Sequence, residues 1–428
     1  MKLTTICIVA ACHAATLAAQ TPQRPRRDSL MLTRDAAITA ALANNPQLDI
    51  AREQTAQARA RQVQAAAIPD PSLTYSYDNQ PGFLKFGSAD QQKNAVLGIQ
   101  IPFPNKFALR NRIGAADVHS AEYSYTGLRQ QLAAQTSGAY DTLLAAYRHR
   151  DIFQTSRDLA QDFLKKTQAR FEGGTAAKLD VIRAQVAVAQ SENDLIGAAR
   201  DIQTASNSLD RLIGQPIGTP VATQDSLSVP PALPEIEALE QAALAARPEL
   251  AGLASQQAGA QAATSLAKQY WVPDLTLSAQ KDYATDGGGA LFSAGIAMPF
   301  PVFFWQHNKG EIAETHHHER ELAAGYRDLR AQVAQDVRAS YASADAALRQ
   351  SLYIRDALLP SVREAYRVAS VSYGLGGSSA LDVLQARRDL LDAETQYADA
   401  LTAANSARAD LERAAATPLT RFGARRTP

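Results

Sequence analysis

The sequence predicts an α+β membrane protein in which four amphipathic β-strands per chain contribute to a β-barrel, continued by long α-helical hairpins. Three observations lead there. The chain is written twice. Each copy carries a pair of strands whose side chains alternate between apolar and polar. Each copy then runs into a nearly breaker-free helical tract, residues 105 to 170 and 306 to 371, that spans about 100 Å at 1.5 Å per residue.

Composition narrows the class. The 428 residues carry 43 basic and 43 acidic side chains, which argues against a polybasic nucleic-acid surface and against an acidic disordered chain. The two cysteines, Cys7 and Cys12, exclude a disulfide scaffold. Past the N-terminus no apolar run is long enough for a transmembrane helix.

Residues 1–19 read as a signal peptide. Lys2 supplies the positive start, Leu3 to Ala19 is apolar and small, and Leu17-Ala18-Ala19 before Gln20 resembles a cleavage site. The polar, proline-broken stretch from Thr21 to Asp28 favours export over a buried N-terminal helix. Val9-Ala10-Ala11-Cys12 has the shape of a lipoprotein box, which makes Cys12 a candidate for lipidation, although the apolar stretch before it is short. Either route takes the chain into or beyond the bacterial periplasm.

The duplication shows as ordered matches. Leu42, Pro46 and Leu48 recur as Leu244, Pro248 and Leu250, and Phe171, Gly174, Leu179, Asp180 and Val181 as Tyr373, Gly376, Leu381, Asp382 and Val383, all at an offset of 202. Between them, Ile101-Pro102-Phe103-Pro104 matches Met298-Pro299-Phe300-Pro301 at an offset of 197. The first repeat occupies 20–213, a Pro- and Gly-rich linker 214–234, the second repeat 235–416, and an Ala-, Pro- and Arg-rich tail, expected to fray, 417–428.

Each copy has one internal order. Ala36–Ala67 reads as helix with a break at Asn44-Asn45-Pro46. Leu73–Asp78 and Ala95–Phe103 alternate as strands, as do Leu275–Tyr283 and Ala290–Phe300, the latter pair joined by Asp286-Gly287-Gly288-Gly289. Leu73, Tyr75, Tyr77, Leu97 and Ile99 suit a barrel exterior, and Phe83, Phe86, Phe103, Phe300, Phe303, Phe304 and Trp305 suit an interfacial belt. The long helices turn at 172–175 and 374–377 and return over 176–213 and 378–416 with coiled-coil-like spacing. Four strands cannot close a membrane barrel and open edges are not tolerated in hydrocarbon. Two copies supply eight strands and three supply twelve, the larger ring leaving a usable bore. A soluble coiled-coil scaffold with two small hairpins is the competing reading.

Assembled in this order, the motifs resemble the TolC-like outer-membrane efflux proteins, over about Leu32 to Arg413. The segment Tyr373-Gly374-Leu375-Gly376-Gly377-Ser378-Ser379-Ala380-Leu381-Asp382-Val383-Leu384-Gln385-Ala386 is similar to the family's helix-turn-helix tip, and Phe171 to Ala184 is its first-copy equivalent. The resemblance implies a homotrimer in outer-membrane lipid, with a twelve-stranded barrel and a helical barrel crossing the periplasm. Its tips would meet a periplasmic adaptor (membrane fusion) protein, fed by an inner-membrane transporter. The style of Leu32-Thr33-Arg34-Asp35-Ala36, Asn45-Pro46, Pro69-Asp70-Pro71 and Phe300-Pro301-Val302-Phe303 is similar to the heavy-metal branch, which works with resistance-nodulation-division (RND) pumps and exports ions such as cobalt, zinc, cadmium or copper. Organic drugs or solvents are the alternative cargo.

The resemblance also implies a gate at the tip, where two acidic positions one helical turn apart form rings. Asp382 matches the first; Gln385 stands at the second, a departure that weakens cation capture. Tyr373, Asp180, Arg183 and Arg387 are candidates for contacts that hold a closed tip. Gly173, Gly174, Gly376, Gly377 and Ser378 make the turns that would meet the adaptor. His316, His317 and His318 are candidates for weak metal contact through the i,i+4 pairs Glu314–His318 and His317–Glu321, with His307 nearby, though one helix cannot aim all three at one ion. A solvated face of the long helix explains the same residues and is the favoured account of them. No His-Glu-x-x-His, Walker loop or Gly-x-Ser-x-Gly elbow is present. The expectation is a conduit with no cofactor and no nucleic-acid partner, not an enzyme.

Overall fold

The computed structural model describes residues 30–78, 92–283, 291–299 and 308–422. The signal peptide with Cys12, the aromatic residues Phe83, Phe86, Phe300, Phe303, Phe304 and Trp305, and His307 lie outside the described residues.

The first half runs β1 (Leu30–Leu32), α1 (Arg34–Asn44), α2 (Pro46–Ala65), β2 (Ser72–Asp78), β3 (Gln92–Ile101), α3 (Pro104–Glu172) and α4 (Lys178–Leu212). The second runs β4 (Val221–Thr223), α5 (Ile236–Ala246), α6 (Pro248–Ala267), β5 (Leu275–Tyr283), β6 (Leu291–Ala297), α7 (Lys309–Tyr353), α8 (Leu359–Leu375) and α9 (Ala380–Ala415). Local chemistry sets the helix starts. Thr33 Oγ1 accepts from the Ala36 amide at 3.2 Å, and Asn45 Oδ1 accepts from the Gln47 amide at 2.9 Å with Pro46 at the first helical position.

The sheet order is β2-β3-β5-β6, all antiparallel. The helices continuing these strands pack in the same order: α2 on α3, α3 on α6, and α6 on α7. One side of the molecule is therefore flanked by β2 and α2, the other by β6 and α7. Toward the far end α3 lies against α4 and α9, and α9 against α8.

The duplication is visible at matched joints. Asn45 Nδ2 donates to the Leu212 carbonyl at 2.9 Å, and its counterpart Arg247 Nε donates to the Ala414 carbonyl at 2.8 Å. Two residues on, Gly214 (φ 71°) and Ala416 (φ 51°) both adopt the left-handed conformation that ends the helix. The alanine carries the steric cost that glycine avoids. Ala416→Gly is expected to stabilise the chain by about 0.5–1 kcal/mol once glycine's greater unfolded-state freedom is offset. Its thermal midpoint should rise in detergent, and a fall would show that the Ala416 methyl matters more than its backbone strain.

Three expectations are corrected. The second long helix is not continuous: a π-helical turn, Ile354–Leu358, separates α7 from α8, with the Leu359 amide bonding back to the Ile354 carbonyl. A π-turn accommodates an inserted residue without breaking the helix axis. Pro360, just inside α8, lacks the amide that would continue the ladder. The linker is not featureless, since β4 pairs in parallel with β1. Nor does the start of the tail fray: Leu419 is only 2% exposed, in a core with Leu239, Val333, Val337 and Leu411.

Candidate functional site

The sheet separates its two faces by register. One cross-strand row is Leu73, Leu97, Ala279, Ala294; the next on that face contains Ile99, Leu277 and Ile296. The alternate rows are Thr74, Val96, Gln280, Ser293 and Ser76, Asn94, Asp282, Leu291. One face is thus nearly all apolar and the other mostly polar. The apolar face is uncovered in the single chain, with Leu73 at 74% and Phe292 at 76% exposure. Toward one end of that face Lys281 Nζ lies 4.8 Å from the Tyr283 ring centre and 5.1 Å from that of Phe292, two cation–π contacts. At the other end Asp274, at the mouth of β5, accepts from Lys106 Nζ at 2.8 Å and from Gln100 Nε2 at 3.2 Å. That contact locks the first repeat's long helix to the second repeat's strand.

At the far end the two helical turns sit together. Gly174 (φ 73°) and Gly376 (φ 84°) supply the left-handed residues, so a side chain is strained at either. Gly173 has φ −78°, and a Cβ on Gly377 would stand 2.8 Å from Ser372 Oγ. Ser378 Oγ donates to the Ala369 carbonyl at 3.0 Å. Asp382 forms a capping box: its carboxylate accepts from the Ser379 amide at 2.9 Å while Ser379 Oγ accepts from the Asp382 amide at 3.2 Å. The Ser379 amide and hydroxyl hold the exposed Asp382 carboxyl below the usual carboxylate range.

The other candidates are placed as follows. Asp180 and Arg183 pair with each other at 3.6 Å along α4. Gln385 Nε2 donates to Asp389 Oδ1 at 2.8 Å along α9. Tyr373 is 4% exposed, packed on Phe163 with 5.2 Å between ring centres, and its hydroxyl lies 3.3 Å from Thr167 Oγ1. Arg387 is also buried and bonds to serines of α3 and α4. Sequence reasoning missed Arg170, whose guanidinium stacks 4.5 Å over the Tyr373 ring and donates to the Tyr373 carbonyl. Its position one residue before the motif's aromatic Phe171 was the available signal. The histidines pair at i,i+3 rather than i,i+4, His316 with Glu319 at 3.8 Å and His318 with Glu321 at 3.1 Å. Among the described residues no group of three or more His, Cys, Asp or Glu side chains is placed to hold a metal ion.

A two-faced sheet set on a layer of very long helices is an architecture found in outer-membrane efflux channels, which are passive conduits. The chain belongs to the outer membrane efflux protein family, whose model matches residues 37–215 and 239–417. It is 23% identical over 376 residues to the cobalt-zinc-cadmium resistance protein CzcC of Cupriavidus metallidurans, covering 88% of each chain. It is 25% identical to the pyoverdine export outer membrane protein OpmQ of Pseudomonas aeruginosa, covering 84% of this chain and 80% of that one. The outer-membrane channel OprN superposes with a TM-score of 0.76 at 17% identity, over 90% of each chain.

Proposed function

We propose that three copies of this chain form a trimeric channel in the outer membrane, its helical part extending into the periplasm to meet an adaptor fed by an RND transporter. The observation that carries this reading is the sheet with one apolar face and two edges, β2 and β6, that no other described strand pairs. Unpaired strand edges are untenable in hydrocarbon. Because β2 and α2 share one flank and β6 and α7 the other, a head-to-tail ring closes sheet and helices together. Three copies reach twelve strands. The helical flanks supply matching apolar stripes, Leu179, Ile182 and Val186 on α4 and Val368, Val371 and Leu375 on α8. Light scattering of the detergent-purified protein, paired with single-channel recording in planar bilayers, tests the reading. A trimer mass with discrete openings is expected; a water-soluble monomer that never inserts would replace the channel with a scaffold.

Heavy-metal cations are the cargo we favour. Two features support this: similarity to CzcC along nearly its whole length, and an exposed Asp382 kept ionised by its cap. The similarity to OpmQ supports the second reading, an organic cargo. Loss of cobalt, zinc or cadmium tolerance in a deletion strain, with drug tolerance intact, would decide for metal. In a ring of three, Asp382 attracts cations at the tip. Asp382→Asn keeps hydrogen-bonding capacity for the cap and removes the charge, so the cation-over-anion permeability ratio should fall by about half or more. An unchanged ratio in the variant would remove Asp382 from the filter.

A further inference from the structure

The tip bundle encloses a positive charge that has no ion-pair partner among the described residues. Arg387 stands two turns into α9, about 10 Å from its start, and is 4% exposed. Its Nη1 donates to Ser156 Oγ at 2.7 Å, to the Ser156 carbonyl at 3.4 Å and to Ser191 Oγ at 3.2 Å. Its Nε has no hydrogen-bond partner among the described residues. No described carboxylate forms an ion pair with it, although the fields of Tyr366 and of Asp194 on α4 favour its charge and that of Arg388 opposes it. Burial pushes the guanidinium below its ordinary value, with Arg388 adding to the effect. An arginine nevertheless stays charged in proteins. The burial is complete within one chain, so a neighbouring copy cannot offer a carboxylate unless α3, α4 and α9 first separate.

Two neutral hydroxyls and a carbonyl do not offset the desolvation of a guanidinium. Ser191 does not depend on Arg387, since its Oγ already donates to the Ala187 carbonyl at 2.9 Å. We propose that Arg387 is a built-in opener of the tip, an uncompensated charge that makes the closed packing of α9 on α3 and α4 costly and is hydrated when α9 swings out. This reverses the role expected from sequence, where Arg387 was a candidate ionic latch. It rests on the reading of the chain as a gated channel. A partner docking at the turns then works against a smaller barrier, because part of the opening free energy is stored in the resting bundle.

The test compares wild type with Arg387→Met, which keeps a long side chain and removes the charge, and Ser191→Asp, which gives Arg387 a counter-ion. Both are measured as purified full-length channels, by single-channel recording and by thermal unfolding in detergent. Each variant is expected to lower the spontaneous open probability by about tenfold, and Arg387→Met is also expected to raise the unfolding midpoint, in line with apolar replacement of buried charges. Open probability equal to or above wild type in Arg387→Met, or a lower midpoint, would make Arg387 a structural latch and overturn the proposal. Should wild type conduct nothing at all, the channel reading fails. The unfolding comparison still decides by itself whether the buried charge is a cost.

Discussion

Leu97→Arg is expected to abolish most outer-membrane insertion, while Gln280→Arg is expected to insert normally and conduct cations less well. Leu97 lies near the middle of β3, in the row Leu73, Leu97, Ala279, Ala294, and is 51% exposed with no protein over it. If lipid covers that face, an arginine there costs about 2–4 kcal/mol per copy at the bilayer midplane. Gln280 sits one register row away, on the face shared with Thr74 and Ser293. An added positive charge there meets water in the bore and repels passing cations. Membrane fractionation and urea unfolding in lipid vesicles read the first effect; single-channel current reads the second. Exchange of the two phenotypes would mean that the sheet faces are reversed, with the polar face outward. Normal insertion of both variants would mean that the sheet does not meet hydrocarbon at all.

What the sequence made legible follows from how local each signal is. The strands were readable because alternation has a period of two and needs no partner to be seen: Leu275–Tyr283 falls within the bounds expected from pattern alone. The turn at Gly376 was readable because left-handed backbone selects glycine. Ala416 breaks that rule, and its conformation became visible only through its counterpart Gly214. The π-turn at Ile354–Leu358 has no composition signal. The same limit applied at the tip. Arg387 and Tyr373 stood out as charged and aromatic residues near a turn, which says nothing of whether they face a lumen or a helix seam. Burial by α3 and α4 is a long-range property, set by residues such as Ser156 and Ser191 far away in the chain. The parallel pairing of β1 with β4 joins three-residue strands far apart in sequence, too short for any periodicity to register.

Arg34→Ala is expected to destabilise the middle of the molecule by about 3 kcal/mol at neutral pH, with part of the loss recovered in acid. Arg34 follows β1 and forms an ion pair with Asp141 of α3, whose side chain is fully buried while that of Arg34 is 36% exposed. The pair belongs to a clamp. The Arg34 amide donates to Asp225 Oδ2 at 2.8 Å, and the Tyr140 hydroxyl, pushed up to about 12 by burial and the neighbouring Asp225, lies 2.9 Å from both Asp225 Oδ2 and the Leu32 carbonyl. Breaking a buried pair by removing one partner costs about 3–5 kcal/mol, and the lower end applies because water replaces part of what an accessible arginine supplied. Burial raises the Asp141 carboxyl above its ordinary value, Arg34 opposing. A raised folded value means that the folded chain binds the proton more readily than the unfolded chain, so stability falls as pH rises between the two values. Losing Arg34 lifts the folded value further and widens that window. The Arg34→Ala deficit should therefore shrink as pH falls and Asp141 becomes neutral. Arg34→Ala combined with Asp141→Asn should be more stable than Arg34→Ala alone at neutral pH and should show no such recovery. A deficit independent of pH, or two losses that simply add, would place the effect in lost packing of the arginine stem and not in the stranded carboxylate.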